Sequence, residues 1–275
     1  MAAQARTVLL VGAGKMGCAL LERWLERRVI KGAELAVVEP APSQVLRELV
    51  AAHGVALETD IGSLEPSAIE AVILAVKPQA MAKVLPGLKA LARAETVFLS
   101  IAAGTTTASI AGHLGRDARV ARAMPNLPAV IGRGVSGLFL PAALTAAQRE
   151  RCVKLLEAVG EVVPIGEERL LDPVTAVSGS GPAYVFLLIE CLAAAAADVG
   201  LPKDVAMTLA RATVTGAGEL AFQSAKTASQ LRQDVTSPGG TTEAALDILM
   251  RPEGLSALMH AALRAAVERA RQLST

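Results

Sequence analysis

Hydrophobic positions along the chain change their period once. Short runs that are apolar throughout recur in the first part: TVLLV (7–11), ELAVVE (34–39), EAVILAV (70–76), ETVFLSI (95–101), ARVARA (118–123), GVSGLFL (134–140) and EVVPIG (161–166). Unbroken apolar runs, as opposed to alternating ones, belong to strands buried on both faces, and the helical patterns or loops between them predict a parallel sheet covered on both sides. TAAQRERCVKLLEAVG fits a helix with Thr145 as its N-cap and Gly160 at its end. Beyond about residue 166 the strand pattern stops. From Ser180 onward the period is helical, over 182–199, 203–223, 227–235, 241–250 and 254–273. The chain is therefore expected to be α/β, with a doubly wound parallel sheet over residues 1–166 and an all-helical domain over residues 167–275, and without a flexible linker between them.

Composition narrows the function classes. The 275 residues are 52% hydrophobic and 19% charged, as in globular proteins, with a net charge of +1 and 2% aromatic residues. Neither a basic phosphate-tracking surface nor base-stacking rings are available, so nucleic acid is not an expected partner. The N-terminal residues run directly into a strand pattern without the features of a secretory signal. No apolar run was expected to reach the roughly 18 residues of a membrane span, AYVFLLIECLAAAAADVG being interrupted by Glu190 and Asp198. A soluble, cytoplasmic protein with no membrane partner is the expectation. Cys18, Cys152 and Cys191 are scattered, as are His53, His113 and His260, so neither a disulfide framework nor a metal site is predicted. In the helical half the Ala-rich stretch CLAAAAAD permits close helix packing, and a mostly apolar helical region of this size calls for a second subunit to cover it.

Candidate chemistry concentrates at strand ends and helix starts. Gly12-Ala13-Gly14-Lys15-Met16-Gly17 lies between a strand and the amphipathic ALLERWLERR, the context in which glycines bring backbone N–H groups against a pyrophosphate. That makes the first half a Rossmann-type domain, with a plain tight turn as the alternative. Glu39, at the end of the second strand, is placed to take the hydroxyls of an adenosine ribose, the alternative being a solvated acid. LAVKPQ (74–79) sets Ala75, Val76 and Lys77 at another strand edge, and SIAAG (100–104) does the same for Ala103. In RAMPNLP (122–128) Asn126 is either a loop stiffener or a ligand contact. SGSGP (178–182) and TSPGGTT (236–242) open helices with small and hydroxyl residues. Such a start exposes unpaired N–H groups at the positive end of the helix dipole and can hold an anion. The plainer reading of the second is an N-cap supplied by Thr241 or Thr242 after a Pro238-Gly239 turn.

GAGKMG, LAVKP, SIAAG, MPN, SGSGPAY and TSPGGTT, in this order and over nearly the whole chain, resemble the Δ1-pyrroline-5-carboxylate reductase family of proline biosynthesis. The resemblance implies NADH- or NADPH-dependent reduction of a cyclic imine. It also implies a Rossmann domain followed by a helical domain that makes a homodimer, often within a ring of dimers. It places the substrate carboxylate on Ser237, Gly239, Gly240, Thr241 and Thr242, with Glu168 and Thr175 beside the substrate. Thr175, Ser237 and Thr242 become the expected catalytic residues. Gly12, Ala13, Gly14, Lys15, Met16, Gly17, Glu39, Ala75, Val76, Lys77, Ala103 and Asn126 become the expected cofactor contacts. The chain departs from the family pattern at Ser224–Ala228, where many members carry a Glu or Gly and then His-Pro, and at Asp234, where some carry an Asn that touches the cofactor. Two other readings stay open: a β-hydroxyacid dehydrogenase or imine reductase, and a non-catalytic dinucleotide sensor. Glu39, with no nearby cation before Arg47, favours NADH.

Overall fold

The computed structural model describes residues 6–63 and 68–273. They form two compact units, one made of the residues up to Gly179 together with those from Val267 onward, the other of Ser180–Ala266.

The strands of the first unit are β1 (Val8–Val11), β2 (Leu35–Val38), β3 (Ala56–Glu58), β4 (Ala71–Leu74), β5 (Val97–Ser100), β6 (Arg119–Met124), β7 (Gly134–Phe139) and β8 (Gly160–Ile165). They form one sheet in the order β3-β2-β1-β4-β5-β6-β7-β8. Between them run α1 (Lys15–Glu26), α2 (Gln44–His53), α3 (Pro78–Val84), α4 (Thr107–Leu114) and α5 (Ala146–Glu157), and the short α6 (Leu171–Val174) follows β8. Successive strand residues point to opposite faces, and both faces are filled. Leu10, Val37, Ile73 and Leu99 join Leu20 and Trp24 of α1 and Leu156 of α5 in one core layer. Leu9, Val72, Leu74 and Phe98 join Met81 of α3 and Ile110 and Leu114 of α4 in the other. Each such fully buried side chain stabilises the fold by roughly 1.5–3 kcal/mol. The Trp24 indole N–H also finds an acceptor, donating to Leu155 O at 2.7 Å.

The expected all-parallel sheet is corrected at one edge. β1 to β6 are mutually parallel, but β7 pairs antiparallel with β6, and β8 then runs parallel to β7. No crossover helix separates β6 from β7, only a 3-10 turn over Leu127–Ile131, and a short connection returns the chain antiparallel. β3 went unrecognised in the sequence because it is a half-buried, three-residue edge strand. Thr145 caps α5 as expected: its hydroxyl accepts the Gln148 N–H at 3.2 Å while the Gln148 side chain accepts the Thr145 N–H at 3.0 Å. The helix stops at Glu157, however, and Gly160 begins β8.

The two compact units meet between Gly179 and Ser180. Residues 168–179 stay with the sheet because they pack on it. Leu171 and Ala176 are buried, and a Cβ on Gly137 of β7 or on Gly179 would meet Val174 or the Met124 side chain.

The second unit contains α7 (Gly181–Asp198), α8 (Lys203–Gln223), α9 (Ala228–Asp234), α10 (Thr241–Leu249) and the beginning of α11 (Leu255–Leu273). α7 and α8 lie against each other. Within one chain these helices leave much apolar surface open. Ala193 is the one buried residue of α7, and Phe186, Leu187 and Leu188 are each half exposed. Contrary to the expectation from run length, the helical stretch Glu168–Asp198 is long and apolar enough to cross a membrane, by length and composition, and almost none of that window is buried in the chain.

Candidate active site

The turn from β1 into α1 is shaped by its glycines. Gly12 has φ +91°, which L side chains rarely adopt, and a Cβ there would lie 2.8 Å from Val76 Cγ1 and 2.9 Å from Ala75 O. A Cβ on Gly17 would run into Gly12 O, so the third glycine lets α1 pack directly on the turn. Gly14 is the N-cap of α1 and offers no capping side chain, so the first N–H groups of the helix are left for an anion. The turn opens on a cavity of about 600 Å³ at the carboxyl ends of β1, β2 and β4, lined among others by Gly12, Gly14, Glu39, Asp60, Val76 and Lys77. From the paired β1 and β4 the strand order runs outward in opposite directions, the switch point at which doubly wound sheets bind ligands. A turn that excludes a Cβ at Gly12 and Gly17, next to uncapped N–H groups, fits a dinucleotide pyrophosphate.

The expected cofactor residues fall into two groups. Gly12, Gly14, Glu39, Ala75, Val76 and Lys77 line the cavity together. Lys15 begins α1 at the surface, and Ala13 and Met16 pack partly against the core. Glu39 is pinned at both oxygens: Oε2 accepts the Ala13 N–H at 2.8 Å and Oε1 the Ala41 N–H at 3.2 Å. Ala103 lies in the turn after β5, which Gly104 closes with φ +75°. Asn126 is buried, and its Oδ1 accepts the Val135 N–H at 2.9 Å, a brace across the β6–β7 connection. Asp60 and Lys83, which also line the cavity, were not picked out in the sequence. An isolated acid after an unrecognised strand carries no pattern of its own.

Of the expected substrate residues, Glu168 and Thr175 belong to the first unit. Glu168 Oε1 accepts the Thr107 N–H at 2.7 Å and Arg122 Nη1 at 3.2 Å, while Oε2 accepts the Thr107 hydroxyl at 2.7 Å. Thr175 opens a π-helical turn, Thr175–Gly179, of the kind that often marks functional sites. Its hydroxyl donates to Leu171 O at 2.8 Å. A carbonyl cannot donate, so the proton is committed there and the hydroxyl oxygen faces any further partner as an acceptor.

Ser237, Gly239, Gly240, Thr241 and Thr242 lie in the second unit. The N-cap of α10 is Gly240, with no side-chain cap, and neither threonine takes that role. Ser237 O accepts the Gly240 N–H at 3.0 Å and Glu243 Oε2 the Gly239 N–H at 2.6 Å, so the turn is held by groups other than the first N–H groups of the helix. At Ser224–Ala228 and Asp234, where the sequence departs from the resembled pattern, Lys226 Nζ binds Asp234 Oδ2 at 2.7 Å.

Thiol chemistry has little support. Burial pushes the Cys152 thiol up to about 12, and burial followed by the Glu22 and Glu39 charges raises that of Cys18.

Comparison with known proteins agrees with this geometry. Residues 168–273 match the family described as pyrroline-5-carboxylate reductase dimerisation, and residues 7–104 match the family described as NADP oxidoreductase, coenzyme F420-dependent. The pyrroline-5-carboxylate reductase of Pseudomonas aeruginosa is 38% identical over 272 residues, covering 97% of this chain and 96% of the relative. That of Mycobacterium tuberculosis is 37% identical over 290 residues, with the same coverage of each. A solved pyrroline-5-carboxylate reductase from Coxiella burnetii superposes with a TM-score of 0.91 at 34% identity, over 99% of this chain and 100% of that one. The Plasmodium falciparum enzyme, solved with NADP bound, shares the fold at a TM-score of 0.82 and 24% identity, over 98% of each chain. With full-length relatives at this level of identity, the chain belongs to the pyrroline-5-carboxylate reductase family.

Proposed function

We propose that the chain performs its reductase reaction, hydride transfer from NAD(P)H to the C=N bond of 1-pyrroline-5-carboxylate to give L-proline, by fixing two charged ends and supplying no strong acid of its own. The nicotinamide supplies the hydride. The observation that carries this reading is the start of α10, where a glycine N-cap leaves helix N–H groups without a side-chain acceptor. The substrate carboxylate binds there, on Ser237, Thr241 and Thr242, with Gly239 and Gly240 shaping the turn, and complements the helix dipole. Thr175 accepts a hydrogen bond from the ring nitrogen. Because its own proton is held by Leu171 O, it suits an iminium that arrives protonated. Orientation and fixed charge then carry catalysis, effects able to supply about 7–11 kcal/mol when reactants are held in line. Lys77, Ala103 and Asn126 complete the cofactor contacts. Glu39, with Asp60 in the same cavity, makes NADH the preferred donor, and Lys77 and Lys83 keep that a preference and not an exclusion. The protein works in the cytoplasm as a homodimer built on its helical units, with a ring of dimers as the larger assembly.

Replacement Thr242→Ala tests the carboxylate site. The loss of one charge-assisted hydrogen bond, roughly 1.5–3 kcal/mol, should raise the KM for 1-pyrroline-5-carboxylate about tenfold or more and leave the KM for NADH within about twofold. An unchanged substrate KM would return this stretch to a purely structural helix start.

A further inference from the structure

The ion pair between Arg122 and Glu168 lies at the same edge of the sheet as the cofactor cavity but outside it. The cavity at the ends of β1, β2 and β4 accounts for the adenosine half of a dinucleotide, and the GAGKMG turn for its pyrophosphate. An extended dinucleotide continuing along this edge would pass β4 and bring its nicotinamide half to the turn after β5, since each half of a doubly wound sheet takes one mononucleotide. That turn, Ile101–Thr106, leads into α4, whose N-cap Thr106 accepts the Ser109 N–H at 3.1 Å.

The helix start that follows this turn is held by charge. Arg122 sits on β6 in register with Ser100 of β5, and its side chain is only 5% exposed. A guanidinium this deep is costly unless paired. Its partner Glu168, 22% exposed, also accepts both the N–H and the hydroxyl of Thr107, the first residue of α4. One carboxylate thus ties β6, the first turn of α4 and the segment leading to Thr175, and it is an anion at a helix N-terminus besides. Three protein donors converge on it, so its first task is to hold these elements together.

We propose that Arg122 and Glu168 are positioning residues for the hydride donor, clamping the first turn of α4 and through it the Ala103–Gly104 turn on which the nicotinamide rests. The inference rests on the reductase reading above and moves Glu168 from substrate contact to cofactor support. Neither residue touches the reacting atoms; their effect is on the angle and distance at which the ring is held.

The test compares Arg122→Met, Glu168→Met and the double variant in the full-length chain. Measured for each are the thermal midpoint, the Kd values of NADH and ADP-ribose, and the primary isotope effect on kcat with 4-deuterated NADH. Each single variant strands a buried polar partner and lowers the midpoint, whereas the double variant strands no charge and recovers most of it. Positioning is not recovered with it. In the double variant the Kd for NADH stays roughly tenfold weak while that for ADP-ribose, which carries no nicotinamide, is unchanged. Its kcat falls roughly tenfold to a hundredfold, the scale expected for misplacing a reactant by about an ångström, and the isotope effect rises as hydride transfer becomes limiting. NADH and ADP-ribose weakening together, full recovery of NADH binding with the midpoint, or a rise confined to the substrate KM would each overturn the proposal. A wild-type chain that binds neither nucleotide would overturn it together with the reductase reading beneath it.

Discussion

Glu39 shows what a single residue discloses in the sequence and what it withholds. Its place at the end of the second strand, after a glycine-rich turn, identified it as a candidate ribose contact. Its bond to the Ala13 N–H was not legible, because a backbone donor leaves no mark on composition. That bond holds a carboxylate in the lining of the cavity, where a 2′-phosphate on a bound ribose would meet like charge. A partly screened contact of this kind costs about 1–2 kcal/mol, so kcat/KM should favour NADH over NADPH roughly tenfold, and Glu39→Ser should erase most of the ratio. Wild type preferring NADPH, or a ratio untouched by the substitution, would show that Glu39 does not read the ribose. Glu168 carries the complementary lesson. Its position was singled out by resemblance, but its partners Thr107 and Arg122 are 61 and 46 residues away along the chain, and a contact of that span has no local signature.

Elements with an uninterrupted apolar period were read closely. α8 was placed at Lys203–Gln223 from its pattern alone, and β1, β2, β4 and β5 each fall inside their predicted runs. What escaped was either too short to show a period, as β3 was, or set by the connection instead of the strand, as the reversal of β7 was. The βα turn combines both kinds of information. Its glycine spacing is written in the sequence, and the reason for the third glycine is spatial, since a side chain at residue 17 would strike the carbonyl of Gly12. Gly17→Ala should therefore push α1 off the turn, costing about 1–3 kcal/mol as overpacked sites do. It should also weaken NADH binding by more than tenfold, because the same shift moves the N–H groups meant for the pyrophosphate. Urea denaturation and NADH titration of the purified variant measure the two effects separately. A variant that binds NADH as wild type does would mean that the helix start is not the pyrophosphate site.

For the whole molecule, the decisive quantity is apolar surface that one chain cannot cover. α7 exposes Val185, Phe186, Leu187 and Leu188 in succession, and α8, α10 and α11 add Leu209, Ile248 and Leu258, each half exposed or more. Monomeric proteins rarely leave this much apolar side chain in water. A membrane is the other solvent that would accept it, and Glu168–Asp198 has the length and apolarity for one. The match of residues 168–273 to a reductase dimerisation family explains the same surface by self-association, with small residues such as the alanines of 193–197 allowing close helix approach. The need for a partner was legible from the Ala-rich helix; the number of copies was not, because a helix face specifies that it must be covered and not how many times the contact repeats. Folding and association should then be one event. Sedimentation across nanomolar to micromolar concentration should find no folded species at the chain mass of 28.2 kDa, and the thermal midpoint should rise with concentration by mass action. Phe186→Glu, which sets a charge at a half-exposed apolar position of α7, should lower both the midpoint and the assembled fraction. A monodisperse, folded 28.2 kDa monomer with a concentration-independent midpoint would mean that these apolar side chains are tolerated in water and that the helical unit has some other use.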